Sequence, residues 1–125
     1  MNKPLQHVRI LLVEDDPIIA LDLRETLEAA GATVIGPAPD AASALTILHD
    51  RTFDAAVLDH LIVGGDSVPV ANELARRGVH FLFHTSHRGQ LAQTFPDAPV
   101  IDKPSRPGEL VAAIEALVKA SRLSP

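Results

Sequence analysis

The sequence predicts a single α/β domain in which helices cover both faces of a five-stranded parallel sheet. Short apolar runs alternate with helical patterns, and polar residues directly follow four of the five runs. No linker, internal repeat or low-complexity tract interrupts the 125 residues. Strands that alternate with helices usually form parallel sheets with right-handed crossovers, which place helices on both faces. We therefore expect one doubly wound domain over residues 1–125, a length that suits one domain better than two.

The predicted strands are apolar runs, as is typical of strands that are buried on both sides of a sheet. Arg9 alone interrupts the first run, the second ends at Gly36-Pro37, and the third contains no polar residue. The fourth and fifth runs each lead into polar residues. The five strands are predicted at residues 8–13, 33–35, 55–58, 79–83 and 99–101.

Capping residues and apolar spacing predict four helices. Pro17 suits a first helical position and Gly31 a helix end, and apolar residues recur at helical spacing between them. The last helix follows Pro107, with Leu110, Ile114, Leu117 and Val118 on one face. The predicted N-caps of the first three helices are Asp16, Asp40 and either Asp66 or Ser67. Between residues 86 and 98 a regular crossover helix is not expected, since only Leu91, Ala92 and Phe95 are apolar anchors there.

Composition excludes several classes of function. The net charge is −5 and no basic cluster is present, which argues against nucleic-acid binding. The absence of cysteine excludes disulfides, thiolate metal sites and cysteine nucleophiles. No apolar run approaches membrane-spanning length, and the first residues do not form a signal peptide. A cytoplasmic protein is therefore expected. Its core should be aliphatic, because only 3% of the residues are aromatic.

Polar side chains at the ends of the predicted strands form the candidate site. Strands of an open parallel sheet bring their carboxyl ends to one crevice, where Glu14, Asp15, Asp59, Thr85 and Lys103 would converge. Three carboxylates in one pocket repel one another and need a cation. Oxygen ligands without cysteine or suitably spaced histidine favour Mg²⁺. One carboxylate could then attack a phosphoryl group and become an acyl phosphate.

These residues also carry a family resemblance that spans nearly the whole chain. Residues 11–17, Asp59, Thr85 and Lys103-Pro104 resemble the receiver domain of bacterial response regulators. The resemblance implies a flavodoxin-like sheet of order 2-1-3-4-5, with Asp59 as the acceptor of a phosphoryl group from a kinase phosphohistidine. It also implies that Asp15, Asp59 and the backbone carbonyl of Leu61 hold Mg²⁺ with support from Glu14. Thr85 and Lys103 would bind the phosphoryl oxygens, and Thr85 would be the switch hydroxyl.

A narrower resemblance points to single-domain receivers of alphaproteobacteria, which carry a proline-aromatic-x-aromatic-Ala-Thr-Gly-Tyr signature. In this chain His80 replaces the proline of the signature, His84 replaces the alanine, and Ser86-His87 replaces Gly-Tyr. The resemblance implies that the partner is a histidine kinase or a phosphotransfer protein. Receivers of this group are associated with kinases of the HWE type. Output would pass to a downstream protein target, from a monomer or weak homodimer without an output domain.

Departures from the family pattern concern how phosphorylation is reported. Receivers usually have an aromatic residue where Val100 stands, so a switch that couples Thr85 to an aromatic ring is not expected. Phosphorylation would instead order residues 86–98. His60 and His87 flank the site; His87 either tunes the lifetime of the acyl phosphate or is an ordinary solvated loop histidine.

Two other functions stay open on the sequence alone. A degenerate receiver would be an interaction module that works without phosphorylation. A small phosphohydrolase with an aspartyl-phosphate intermediate would normally have an acid two residues beyond its nucleophile, where this chain has Leu61. We expect no enzyme activity beyond Mg²⁺-dependent self-phosphorylation and self-dephosphorylation.

Overall fold

A computed structural model describes residues 3–123. Its main sheet has five strands, and every neighbouring pair is parallel. The strands of this sheet are β1 (Arg9–Val13), β2 (Thr33–Ala38), β3 (Ala55–Leu58), β6 (His80–Thr85) and β7 (Val100–Asp102). Two further strands, β4 (Leu61–Ile62) and β5 (Gly65–Asp66), form a separate hairpin. The helices are α1 (Pro17–Ala29), α2 (Ala41–Asp50), α3 (Val68–Arg76), α4 (Leu91–Thr94) and α5 (Pro107–Leu123).

The order of the sheet confirms the predicted fold class. The strands lie in the order β2-β1-β3-β6-β7, which is 2-1-3-4-5 when only the strands of the main sheet are counted. Helices α1 and α5 pack on one face around an aliphatic cluster that includes Leu12, Leu82 and Ile114. Helices α2 and α3 cover the other face, where Phe83 and Leu74 are fully buried. None of the helices in residues 3–123 is long and apolar enough to cross a membrane.

The second strand is longer than predicted and continues through Gly36-Pro37 to Ala38. A proline is tolerated here because β2 is the edge strand of the sheet, where its missing N–H removes no ladder hydrogen bond. Gly36 has φ +113°, and a Cβ at this position would lie 2.5 Å from the carbonyl oxygen of Leu12. A shift in register beside Gly36 accompanies this close approach of the two backbones.

The fourth crossover is short and irregular, as the sequence predicted. Helix α4 has only four residues, and its anchors are Leu91 and Phe95, whereas Ala92 is exposed. The ring of Phe95 lies 5.7 Å from that of Phe81 and 5.6 Å from that of Phe83. This aromatic cluster holds the crossover on the sheet in place of a long amphipathic helix.

Candidate functional site

Backbone hydrogen bonds along the carboxyl edge of the sheet fix the positions of the candidate site residues. The N–H of Asp59 donates to Val13 at 2.9 Å, and the N–H of Lys103 donates to Thr85 at 3.1 Å. Glu14 follows β1 directly and donates its own N–H to Ala38 at 3.0 Å. The strands therefore deliver these side chains to one crevice, as expected for an open parallel sheet.

Three carboxylates meet in this crevice. One oxygen each from Glu14, Asp15 and Asp59 lies within 4.8 Å of the others, and no second group of this kind occurs in residues 3–123. Glu14 and Asp59 are buried, and Asp15 is half-buried. The buried Oδ1 atom of Asp59 has no partner in hydrogen-bond geometry among the described residues. A buried, unpartnered carboxylate oxygen is costly, which indicates that it is kept for a ligand or for chemistry.

Lys103 lies between two of the carboxylates. Its ammonium Nζ donates to Glu14 Oε1 at 2.6 Å and to Asp59 Oδ2 at 2.8 Å. The exposed fractions of the Lys103, Glu14 and Asp59 side chains are only 12%, 1% and 9%, so all three charges are largely removed from water. Three ionised carboxylates beside one ammonium group leave two uncompensated negative charges, which suits a divalent cation.

Burial and pairing shift the ionisation of these groups in opposite directions. Burial raises the pKa of Glu14 and outweighs the hydrogen bond from Lys103. Burial also raises the pKa of Asp59, but the hydrogen bond from Lys103, the polar influence of the Thr85 hydroxyl and the charge of Lys103 prevail, and the net pKa is below its usual value. Burial lowers the pKa of Lys103, but the hydrogen bonds to Asp59 and Glu14 raise it above its usual value overall. Of the two buried carboxylates, Asp59 is therefore the one that is better kept ionised.

Thr85 ends β6 and is fully buried. Its Oγ1 accepts a hydrogen bond from the N–H of His87 at 3.0 Å. The carbonyl oxygen of His87 in turn lies 2.7 Å from Nδ1 of His60, so this ring nitrogen must carry a proton and donate it. The two histidines predicted to flank the site are thus joined to each other and to the candidate switch hydroxyl. Their effect on an acyl phosphate stays a prediction.

Val100 lies in β7 opposite Phe83 and is half-buried. The carbonyl oxygen of Val100 accepts from Nη2 of Arg88 at 3.0 Å. Arg88 also donates to both carboxylate oxygens of Asp102, at 2.9 and 3.3 Å. An arginine clamp therefore ties the start of the fourth crossover to β7, close to the position where an aromatic residue was expected.

Two helix caps and Leu61 complete the set of predicted residues. Asp16 caps α1, since its Oδ1 accepts from the N–H groups of Ile18 and Ile19 at 2.9 and 3.2 Å. Leu61 begins β4, two residues after Asp59, and is 43% exposed. The predicted role of its backbone carbonyl as a metal ligand stays a prediction. Asp66, rather than the Ser67 hydroxyl, accepts from the first N–H of α3 at 2.9 Å.

One contact near the site lay outside the sequence prediction. The ring nitrogen Nε2 of His84 lies 2.8 Å from the hydroxyl of Ser105. Burial and the charge of Lys103 lower the pKa of His84. The two residues are separated by 21 positions and belong to no motif. Only the register of β6 against β7 brings them together.

The fold and the cluster of acids with one lysine at its carboxyl edge define a flavodoxin-like receiver. The chain belongs to the Response regulator receiver domain family, which matches residues 10–115.

Several solved structures resemble the chain. A response regulator receiver protein from Sinorhizobium medicae is 26% identical with a TM-score of 0.83, over 91% of this chain and 96% of that one. The anti-anti-sigma factor PhyR from Bartonella quintana is 21% identical with a TM-score of 0.82. That likeness covers 94% of this chain but only 50% of that protein, and it concerns the fold alone. A curated Pseudomonas aeruginosa protein, described by its name as a transcriptional regulator, is 37% identical over 51 residues. These are 41% of this chain and 25% of that protein.

Proposed function

We propose that this receiver domain accepts a phosphoryl group on Asp59 from the phosphohistidine of a histidine kinase or phosphotransfer protein. The observation that carries the proposal is the asymmetry of the Asp59 carboxylate. Oδ2 is held by Lys103, whereas the buried Oδ1 has no partner among residues 3–123. A carboxylate that is ionised, fixed at one oxygen and free at the other is suited to nucleophilic attack.

The transfer forms a bond between an Asp59 oxygen and phosphorus as the bond between phosphorus and the donor imidazole nitrogen breaks. The Lys103 ammonium offsets negative charge on the transferred oxygens, and the Thr85 hydroxyl, which ends β6 at the same edge of the sheet, would donate to one of them. Glu14 and Asp15 complete an oxygen-rich set with Asp59 that fits Mg²⁺. A bound Mg²⁺ would neutralise charge on the phosphoryl oxygens.

Signalling through protein contact follows from this proposal. We infer a cytoplasmic protein, a monomer or weak homodimer, that passes its state to a downstream protein target rather than to nucleic acid or a membrane. The net charge of −5 supports the exclusion of nucleic acid. Membership of the alphaproteobacterial single-domain group, and with it a kinase of the HWE type, is supported by the imperfect signature around Thr85 and by the likeness to the Sinorhizobium medicae receiver.

We do not propose an enzyme that acts on other substrates. Position 61, where an aspartyl-phosphate hydrolase would carry an acid, is a half-exposed leucine. Self-phosphorylation and self-dephosphorylation are the only turnover that we infer.

The test is incubation of the protein with phosphoramidate and Mg²⁺, followed by intact mass measurement. We expect a mass gain of one phosphoryl group that is lost in Asp59→Asn. Asp50→Asn is the matched control, since this side chain is 78% exposed at the end of α2. No mass gain in the folded protein would overturn the proposal and favour the phosphorylation-independent module. Release of phosphate from a generic ester with repeated turnover would instead favour the hydrolase.

A further inference from the structure

The loop that carries Lys103 is held on both sides by the end of β6. Before Pro104, the N–H of Lys103 donates to the carbonyl oxygen of Thr85 at 3.1 Å. After Pro104, the hydroxyl of Ser105 lies 2.8 Å from Nε2 of His84. Two adjacent residues of one strand therefore fix the two ends of the Lys103–Ser105 segment. Thr85 does so through its backbone and His84 through its side chain.

His84 is built into the fold at this point. Successive side chains of a strand point to opposite faces. The ring of His84 accordingly lies on the α1 and α5 side, while Phe83 packs on the α2 and α3 side. Only 4% of His84 is exposed, so the ring cannot turn to solvent. Its Nδ1 atom is buried without a partner in residues 3–123, which leaves the contact with Ser105 as its one hydrogen bond.

Packing alone does not fix this loop. A cavity of about 120 Å³ lies between α1, α5 and the loop. Its lining includes His84, Lys103, Ser105 and Leu23. A side chain beside a cavity lacks packing partners on that side and can shift more readily than one in a filled core. The hydrogen bond to Ser105 is therefore the directional constraint on the segment that follows Lys103.

We propose that His84 and Ser105 are positioning residues that hold the ammonium group of Lys103 between Glu14 and Asp59. The inference rests on the proposed function, because Lys103 is taken as the group that stabilises the transferred phosphoryl oxygens. Displacement of a catalytic group by about 1 Å can slow a reaction by roughly 100-fold. Loss of this constraint, with the Thr85 contact still in place, should slow phosphorylation of Asp59 by roughly tenfold.

The first measurement is the rate of labelling by phosphoramidate with Mg²⁺. Ser105→Ala removes one oxygen from a half-buried loop residue, and His84→Ala removes the ring. We expect both variants, and the double variant, to be slowed by the same roughly tenfold factor, because they break one contact. His84→Gln, whose amide can occupy the place of Nε2, should recover most of the rate. His80→Ala is the control, since it removes a half-buried histidine from the same strand without a contact to Ser105.

The second measurement follows Lys103 itself and does not depend on phosphorylation. The ammonium Nζ of Lys103 lies 2.6 Å from Glu14 Oε1 and 2.8 Å from Asp59 Oδ2. Ser105→Ala should make the Lys103 side chain more mobile, as read from NMR relaxation of its ε-methylene carbon at neutral pH, whereas His80→Ala should not. A merely structural role of Ser105 would leave the mobility of the Lys103 side chain unchanged.

The outcomes separate the two proposals. A labelling rate of Ser105→Ala equal to that of the unmodified protein, or an unchanged mobility of the Lys103 side chain, would overturn the positioning role. An equal slowing by Ser105→Ala in a Lys103→Met background would overturn it too, because the effect would not act through Lys103. Absence of labelling in the unmodified protein would overturn the proposed function, and the NMR relaxation of Lys103 would still decide whether Ser105 positions the lysine. If His84→Ala fails to fold, Ser105→Ala carries the test.

Discussion

Replacement of Lys103 by methionine should destabilise the protein in the absence of divalent cations. The substitution keeps an unbranched side chain that is one atom shorter, but removes the charge that contacts Glu14 at 2.6 Å and Asp59 at 2.8 Å. With an effective dielectric constant of about 20, each contact gives roughly 6 kcal/mol of attraction. Most of this lost attraction is offset by a gain. Folding of the unmodified protein removes an ammonium group from water at a cost of several kcal/mol, and the variant avoids that cost. We expect a net loss of about 3 kcal/mol in the free energy of unfolding, as is typical when one partner of a buried pair is removed.

The assay is urea denaturation in a chelating buffer at neutral pH, followed by far-ultraviolet circular dichroism. The chain has no tryptophan or tyrosine, so intrinsic fluorescence is not useful. Lys119→Met is the matched control, because Lys119 is exposed on α5 and the change is chemically the same. Saturating Mg²⁺ should recover part of the loss in Lys103→Met, since a ligand at about 100 times its dissociation constant adds roughly 2.7 kcal/mol.

The dependence of this loss on pH has a definite sign. In the unmodified protein Asp59 has a lowered pKa, so its contribution is present above the unfolded value of about 3.9 and is lost as the pH falls through the folded pKa. Lys103 has a raised pKa, so its contribution is present below about 10.4 and is lost as the pH rises through the folded pKa. Without Lys103, Glu14 should bind a proton at a still higher pH. The variant should therefore lose less stability at about pH 5 than at pH 7. If the difference in stability between the unmodified protein and Lys103→Met increased on acidification, the proposed role of Lys103 in stability would be refuted. Equal stability of the two proteins at pH 7 would refute it too.

Four other substitutions test separate parts of the structure. Asp16→Ala removes the acceptor of two backbone N–H groups at the start of α1 and should lower the free energy of unfolding by about 1 kcal/mol in the same urea assay. Phe83→Ala empties a fully buried aromatic position and should lower it by about 3–5 kcal/mol. Gly36→Ala should prevent stable folding, seen as a loss of cooperative unfolding, because its Cβ would lie 2.5 Å from a backbone oxygen at φ +113°. Arg88→Ala releases the clamp on Asp102, so amide hydrogen exchange across residues 86–98 should become faster while global stability changes by less than about 1 kcal/mol.

The parts that the sequence predicted correctly depend on local signals of long elements. Asp16 before Pro17 marked the start of α1, and the apolar stripe from Leu110 to Val118 marked the buried face of α5. The convergence of Glu14, Asp59 and Lys103 was also predictable. It follows from a general property of parallel sheets, since every strand brings the residue after it to the same edge.

The features that were missed depend on contacts between distant segments. The β4–β5 hairpin has two residues in each strand, too few for any periodic pattern. The extension of β2 through Pro37 is possible only because β2 lies at the edge of the sheet, which a local pattern does not reveal. His84 and Ser105 likewise meet only because β6 and β7 pair in one register.

The candidate site is costly to fold, and this cost is informative. Buried Glu14 has a raised pKa, Asp59 has an unpartnered oxygen, and one lysine faces three carboxylates. A core that was selected for stability alone would replace such groups with apolar side chains of similar size. Each deficit matches a part of the proposed reaction: the excess negative charge favours a divalent cation, and the free oxygen is available for bond formation. Because Lys103 pairs with both buried carboxylates and is also the proposed stabiliser of the transferred group, its position must be held independently of both carboxylates. The contact between His84 and Ser105 lies on the opposite face of the sheet from Thr85, where it can hold the loop without occupying the site.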